Sequence, residues 1–172
     1  LNKAADIVIR RKDELAVLLS REEGKTLPES KAEVTKAGET FRYFAGEAVR
    51  MSGASLRSVR AGVDIDLRRE PVGVLALITP WNFPFSIPVW KSAPALAYGN
   101  CAILKPADLT NAIAWELAKI LDEAGVPPGV FQLVMGGAET GAALVSDPGI
   151  DGVSFTGSGA VGRRIAKDVV DR

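Results

Sequence analysis

Residues 72–79 read "VGVLALIT", and the chain continues "PWNFPFSIPVWK" as far as Lys91. A short run without charge, rich in Val, Leu and Ile, has the composition of a strand buried on both faces. Such strands belong to parallel sheets, which carry helices on either side. The uncharged stretch extends over residues 71–90, enough in length to span a bilayer. Pro71, Pro80, Pro84 and Pro88 argue against a continuous membrane helix, because each lacks an N–H and they stand close together. The segment therefore reads as a buried strand that runs into a stiff, proline-rich turn.

Three more short apolar runs follow: "CAILK" (101–105), "VFQLVM" (130–135) and "GVSFT" (152–156). Between the first two of these lies "TNAIAWELAKILDEAG" (110–125). Its Ile113, Leu117, Ile120, Leu121 and Ala124 share one helical face. Thr110 or Asn111 can cap its start, and Gly125 with Pro127 and Pro128 ends it. "AETGAALVSD" (138–147) offers a further helix. Strands alternating with helices imply right-handed βαβ units around a parallel sheet, whose ligands bind at the carboxyl ends of the strands.

Upstream the pattern is helical. Leu15, Leu18 and Leu19 make a short stripe that Gly24 can stop. A second helix starts near Pro28, suited to a first turn, and carries Val34, Ala37, Phe41, Phe44, Ala45 and Ala48 at helical spacing. "SGASLRSVRAGVDIDLRRE" (52–70) alternates at Val63, Ile65 and Leu67 and reads as one or two exposed strands leaving the main body. The expected fold is α/β: N-terminal helices over 1–52, a protruding β arm over 53–70, and an incomplete Rossmann-like layer over 71–172.

Composition narrows the chemistry. The 172 residues are 47% hydrophobic, enough for one domain with a core. Lys plus Arg and Asp plus Glu both number 21, so no excess of positive charge points to nucleic acid. The absence of histidine removes Ser-His-Asp triads, histidine bases and histidine metal ligands. The single cysteine, Cys101, forms no internal disulfide and supports no thiolate metal cluster, so no metal is expected. A reducing, cytoplasmic setting is the expectation. A first residue other than Met, with no signal peptide, fits a piece from inside a longer protein.

Three stretches carry candidate chemistry. Gly157, Gly159 and Gly162 spell G-x-G-x-x-G between a strand and a helix, where N–H groups and the helix dipole favour a phosphate. The same turn also occurs with no ligand. Lys105 and Asp108 follow a strand, with Pro106 holding Lys105 out of helical geometry. They can grip the hydroxyls of a ribose, or form an ordinary surface ion pair. Asn82 lies in a rigid apolar frame between Trp81 and Phe83, as an oxyanion donor would, although asparagine is also common in turns. Cys101, at the head of an apolar strand, reads as an inert buried thiol.

Together, "REEGKTLPES" (21–30), "REPVGVLALITPWNFP" (69–84), "PALAYGNCAILKPAD" (94–108), "EAGVPPGVFQLVMG" (123–136) and "FTGSGAVG" (155–162) resemble the aldehyde dehydrogenase superfamily in content, order and spacing. Within it, "IPVWKSAPALAYGN" and "LVMG" are most similar to dehydrogenases of 2-oxoglutarate semialdehyde. The resemblance implies that Asn82 stabilises the oxyanion, that Phe83 walls the substrate tunnel, and that Lys91 lies near the proton relay. It implies that Ile78, Thr79, Pro80 and Trp81 pass the nicotinamide ribose. It also implies that Lys105, Pro106, Ala107 and Asp108 line the adenosine ribose, with Gly157, Ser158, Val161 and Gly162 near pyrophosphate and adenine. Gly159 stands where the family varies, so the glycine fingerprint is partly coincidental. Asp108 is one methylene shorter than the family's usual glutamate, so the cofactor is NAD or NADP. The catalytic cysteine and base glutamate would lie outside this chain, and the complete protein would be a homo-oligomer, dimer or tetramer, acting on a small aldehyde. The rival reading is a non-catalytic nucleotide-binding or interaction module.

Overall fold

The computed structural model describes residues 1–170. Three helices come first: α1 (Asn2–Arg10), α2 (Lys12–Glu23) and α3 (Leu27–Glu47). Gly24 ends α2 at φ +93°, in the left-handed region that a side chain would disfavour. Thr26 and Glu29 then form a reciprocal capping box that starts α3. Val34, Ala37 and Phe41 of α3 are fully buried, and α1 and α2 pack against that face. The break between α1 and α2 at Arg11 has no proline or glycine to announce it in the sequence.

A hairpin of β1 (Ala54–Arg57) and β2 (Asp64–Leu67) follows, antiparallel and exposed at every position. The expected exposed strands are therefore present. Gly53 sits at its root, where a Cβ would come within 2.1 Å of the Leu67 carbonyl oxygen.

The body is a parallel sheet of β3 (Val74–Ile78), β4 (Cys101–Lys105), β5 (Phe131–Leu133) and β6 (Gly152–Phe155), in the order β5-β4-β3-β6. Each of the four apolar runs thus supplies one strand, and the order is that of the first four strands of the doubly wound dinucleotide fold. Helices α4 (Ser86–Ala97), α5 (Asn111–Glu123), α6 (Ala138–Ser146) and α7 (Gly159–Val170) complete it. Register pairs Leu77 with Leu104 and Ile78 with Lys105. Side chains alternate across a strand. Leu77, Ala102 and Leu104 accordingly join the main core with α1–α5, whereas Ile78 and Lys105 face the cavity lined by α6 and α7.

The proline-rich segment holds a surprise. Its turn is short, and α4 begins at Ser86 despite Pro88 and Pro94. Pro88 falls in the first turn, where its missing N–H has no helical partner anyway. Pro94 lies inside and forfeits one ladder bond. A second difference concerns α5. Neither expected side-chain cap forms; the Thr110 hydroxyl instead donates to the Ala107 carbonyl. The Glu22 carboxylate of α2 accepts from the Ala112 and Ile113 N–H groups at 2.6 and 2.9 Å, capping α5 from another helix.

Candidate functional site: a cavity and a turn at the strand ends

A cavity of about 260 Å³ opens beside the carboxyl ends of β3 and β4. It brings together Ile78, Lys105, Asp108 and Val161 of the expected residues. Lys105 is 8% exposed, and its ammonium donates to the Pro106 carbonyl at 2.7 Å. Burial lowers its pKa below the ordinary lysine value, and the Asp108 carboxylate opposes that shift. Asp108 is exposed at the start of a 3₁₀ turn, Asp108–Thr110. Ala107 is half-buried beside it.

Two helix faces close the other sides. Ala138, Gly141, Ala142 and Val145 of α6 line the cavity, as do Val161, Arg164, Ile165 and Asp168 of α7. Both sets follow the i, i+3, i+4, i+7 spacing of one helical face, a signal that could have found them in the sequence. Small residues leave room: a Cβ on Gly137 would stand 3.3 Å from the Asp108 carboxylate, and one on Gly141 3.6 Å from Lys105 Cδ. Mostly apolar walls, with Lys105 and Asp108 on the strand side and Arg164 and Asp168 on α7, fit a flat heterocycle joined to a hydroxyl-bearing sugar. The residues present thus suit the adenosine half of a nicotinamide dinucleotide.

Thr79 follows β3, buried, and its N–H donates to the Lys105 carbonyl at 3.2 Å. Pro80 leads into an exposed turn with Trp81, Asn82 and Phe83 on the surface. Among the described residues, none covers the outer side of this turn, so Asn82 is exposed between two exposed aromatic neighbours. Asn82 and Phe83 line a different cavity, of about 690 Å³, with Lys25, Glu33 and Trp90. Lys91 borders a third cavity and donates to the Ser154 hydroxyl at 2.8 Å. Burial lowers the Lys91 pKa.

Sequence reasoning passed over Lys25 and Glu33. Glu33 is 5% exposed on an apolar face of α3. One carboxylate oxygen accepts from the N–H groups of Phe85 and Ser86 at 2.9 and 3.0 Å. The other accepts from the Lys25 ammonium at 2.6 Å. Lys25 also donates to the Asn82 carbonyl at 2.9 Å and lies 4.3 Å from the centre of the Phe83 ring. A carboxylate on the helix face that carries Val34, Ala37 and Phe41 is the signal that could have marked Glu33.

The glycine turn has its own physical account. A Cβ on Gly157 would come within 2.6 Å of the Phe155 ring, and one on Gly162 within 3.3 Å. Gly159, the first residue of α7, meets only the end of Arg163, at 3.5 Å. Two of the three glycines therefore make space for Phe155, which suffices to explain them without a phosphate. Ser158 stands at the entry to α7, its carbonyl accepting from the Gly162 N–H at 3.0 Å. Cys101 is at the amino end of β4. Four residue steps of ~3.3 Å separate it from Lys105, so its thiol lies far from the cavity.

A sheet with this strand order and a cavity at its strand ends defines a Rossmann-like layer. The aldehyde dehydrogenase family model matches residues 1–172, and the chain belongs to that family. It is 44% identical over 172 residues to alpha-ketoglutarate semialdehyde dehydrogenase of Haloferax volcanii, covering 99% of this chain and 36% of the relative. It is 48% identical over 168 residues to 2,5-dioxopentanoate dehydrogenase of Saccharolobus solfataricus, covering 97% and 35%. The crystal structure of a betaine aldehyde dehydrogenase point mutant from Staphylococcus aureus, in complex with NAD+, superimposes with a TM-score of 0.96 at 34% identity, over 99% of this chain and 35% of that one. The chain thus spans about a third of the length of the relatives it matches.

Proposed function

We propose that these residues form part of an NAD(P)-dependent aldehyde dehydrogenase that oxidises a semialdehyde, such as 2-oxoglutarate semialdehyde, to a carboxylate. The observation that carries the reading is the cavity at the ends of β3 and β4, with Lys105 and Asp108 at one end and the mostly apolar faces of α6 and α7 around it. Lys105 and Asp108 hold the adenosine ribose, and Val161 and Ile165 flank the adenine. Ile78, Thr79, Pro80 and Trp81 guide the cofactor from the end of β3, and Ser158 meets the pyrophosphate. The bound nicotinamide supplies the hydride acceptor. Asn82 donates its side-chain amide to the oxyanion that forms when a nucleophile adds to the aldehyde, and Phe83 borders the substrate. The nucleophile and the general base come from other parts of the polypeptide, since Cys101 lies at the wrong end of its strand. Lys91, with its lowered pKa and its bond to Ser154, stands on the path of protons. The single cysteine suits a reducing, cytoplasmic compartment. The exposed β1–β2 hairpin, with free edges on both sides, joins a sheet between copies of the complete protein.

The test is the steady-state kinetics of the complete protein with 2-oxoglutarate semialdehyde and with betaine aldehyde, each with NAD and NADP. The expected result is a clearly higher kcat/KM for the semialdehyde. A preference for betaine aldehyde overturns the substrate, and cofactor binding without turnover of any aldehyde favours the non-catalytic module.

A further inference from the structure

We propose that Lys25 and Glu33 are positioning residues that aim the Asn82 amide, through a buried ion pair that grips the backbone of residues 82–86 at both ends. This rests on the reading of Asn82 as the oxyanion donor. The turn is poorly equipped to hold itself. Pro80 and Pro84 have no N–H, and Trp81, Asn82 and Phe83 are exposed. The Asn82 side chain makes no hydrogen bond among the described residues, so the direction of its amide depends on where its backbone is fixed.

The fixing comes from α3 and from the loop before it. Lys25 reaches the Asn82 carbonyl at 2.9 Å, which sets the peptide plane that follows Asn82. Its ammonium also lies 4.3 Å from the centre of the Phe83 ring, a cation–π contact that holds the next side chain. Glu33 accepts from Phe85 and Ser86, tying the far end of the turn to the start of α4. The two ends are coupled because Lys25 and Glu33 bond each other at 2.6 Å, with side chains 10% and 1% exposed. One ion pair thus makes four contacts within five consecutive residues.

Bulk stability is a poor explanation for such a pair. Burying two charges costs solvation that a matched apolar pair would not, so a buried salt bridge adds little net stability against that alternative. It fixes geometry instead: an ammonium and a carboxylate with several directed bonds have far fewer acceptable arrangements than two apolar side chains. An oxyanion donor needs that restriction, because its benefit requires placement within about 0.5 Å. The adenosine cavity is lined by neither Lys25 nor Glu33, so cofactor affinity should not depend on them.

The experiment is a mutant cycle in the complete protein, read by the single-turnover rate of NADH formation at saturating aldehyde and by the NAD dissociation constant. The variants are Lys25→Met, Asn82→Ala and the double variant. Expected is a loss of about 10- to 100-fold in rate for Lys25→Met, the scale of a small misplacement near the reacting atoms. The NAD dissociation constant should stay within twofold, and the double variant should be no more than twofold slower than Asn82→Ala alone. A Lys25→Met rate within twofold of the parent, beside a slow Asn82→Ala, overturns the positioning role. Losses that multiply in the double variant overturn the route through Asn82. A normal rate for Asn82→Ala removes the underlying reading of Asn82 and is told apart by that single measurement. Should Lys25→Met not fold, Glu33→Gln takes its place in the cycle. It keeps an oxygen for Phe85 and Ser86, and replaces the oxygen that accepts from Lys25 by an uncharged NH2 that cannot.

Discussion

On the proposed placement of the adenosine ribose, a single methylene at Asp108 bears on cofactor choice. Its carboxylate shares the cavity with Lys105 and would meet the 2′-phosphate of NADP as a like charge. At ~4 Å and an effective dielectric of ~20, each such pair repels by about 4 kcal/mol before screening. Aspartate sets that charge further back than glutamate would, and Lys105 can offer the phosphate a charge-assisted bond. NAD should therefore be preferred and NADP accepted. Asp108→Ala should raise the ratio of kcat/KM for NADP over NAD, and Lys105→Met should weaken both cofactors, NADP more. An unchanged ratio in Asp108→Ala would place that residue away from the ribose. Lys91 allows a test of a different kind. Its folded pKa is lowered by burial, so the unfolded chain binds more protons between the folded value and the ordinary lysine value. The parent therefore gains stability as pH rises through that alkaline window. Lys91→Met removes the group, and denaturant unfolding of the complete protein should show the parent gaining on the variant with rising pH. A difference that is flat with pH would mean that the Lys91 ammonium is fully solvated.

The helices and strands owe their positions to contacts that cross between elements. Glu22 of α2 caps α5, and Glu33 of α3 caps α4. The N-terminal helices thus fix two helix starts in the parallel layer, besides burying apolar area against them. At the other end of the sheet, Phe155 wedges under the turn into α7. Gly157→Ala would push a methyl group against that ring. Overpacking of this kind typically costs about 1–3 kcal/mol, so the thermal midpoint of the complete protein should fall. Adding Phe155→Leu, which withdraws the ring, should recover part of the loss. If Gly157→Ala leaves the midpoint unchanged, Phe155 is free to move and the glycine has another purpose. How far these elements could be read in advance varied with their physics. β3 was legible because a strand covered on both faces has to be apolar throughout. α4 was not, since two prolines argue against a helix unless one falls in its first turn, and only the turn at 80–85 decides where the first turn lies.

Over the whole chain, the coverage of the sheet is uneven. The face toward α1–α5 holds the main core, whereas α7 has no buried residue and β6 is only half-buried with one neighbour. Trp81, Phe83 and Trp90 are each about half exposed around the start of α4. Apolar surface of this kind on an isolated chain invites association, and β6 offers an unpaired edge. The isolated 172 residues should therefore self-associate and melt without a sharp transition. Light scattering and calorimetry check this, and a reversible, concentration-independent monomer melt would contradict it. The same chain should form no NADH from aldehydes, because its one thiol is at the amino end of β4. Steady cofactor-dependent turnover by the isolated chain would refute that. The sequence by itself determined the parallel layer, the exposed hairpin and the family, because apolar strand runs, turn residues and ordered motifs are local properties of the chain. It also marked Lys105 and Asp108, which lie three residues apart beside a strand. Only the tertiary structure decided that faces of α6 and α7 close the cavity over them, and that Lys25 and Glu33 hold the Asn82 turn. Those partners stand dozens of residues away, and a hydrogen bond between distant segments leaves no periodicity to read.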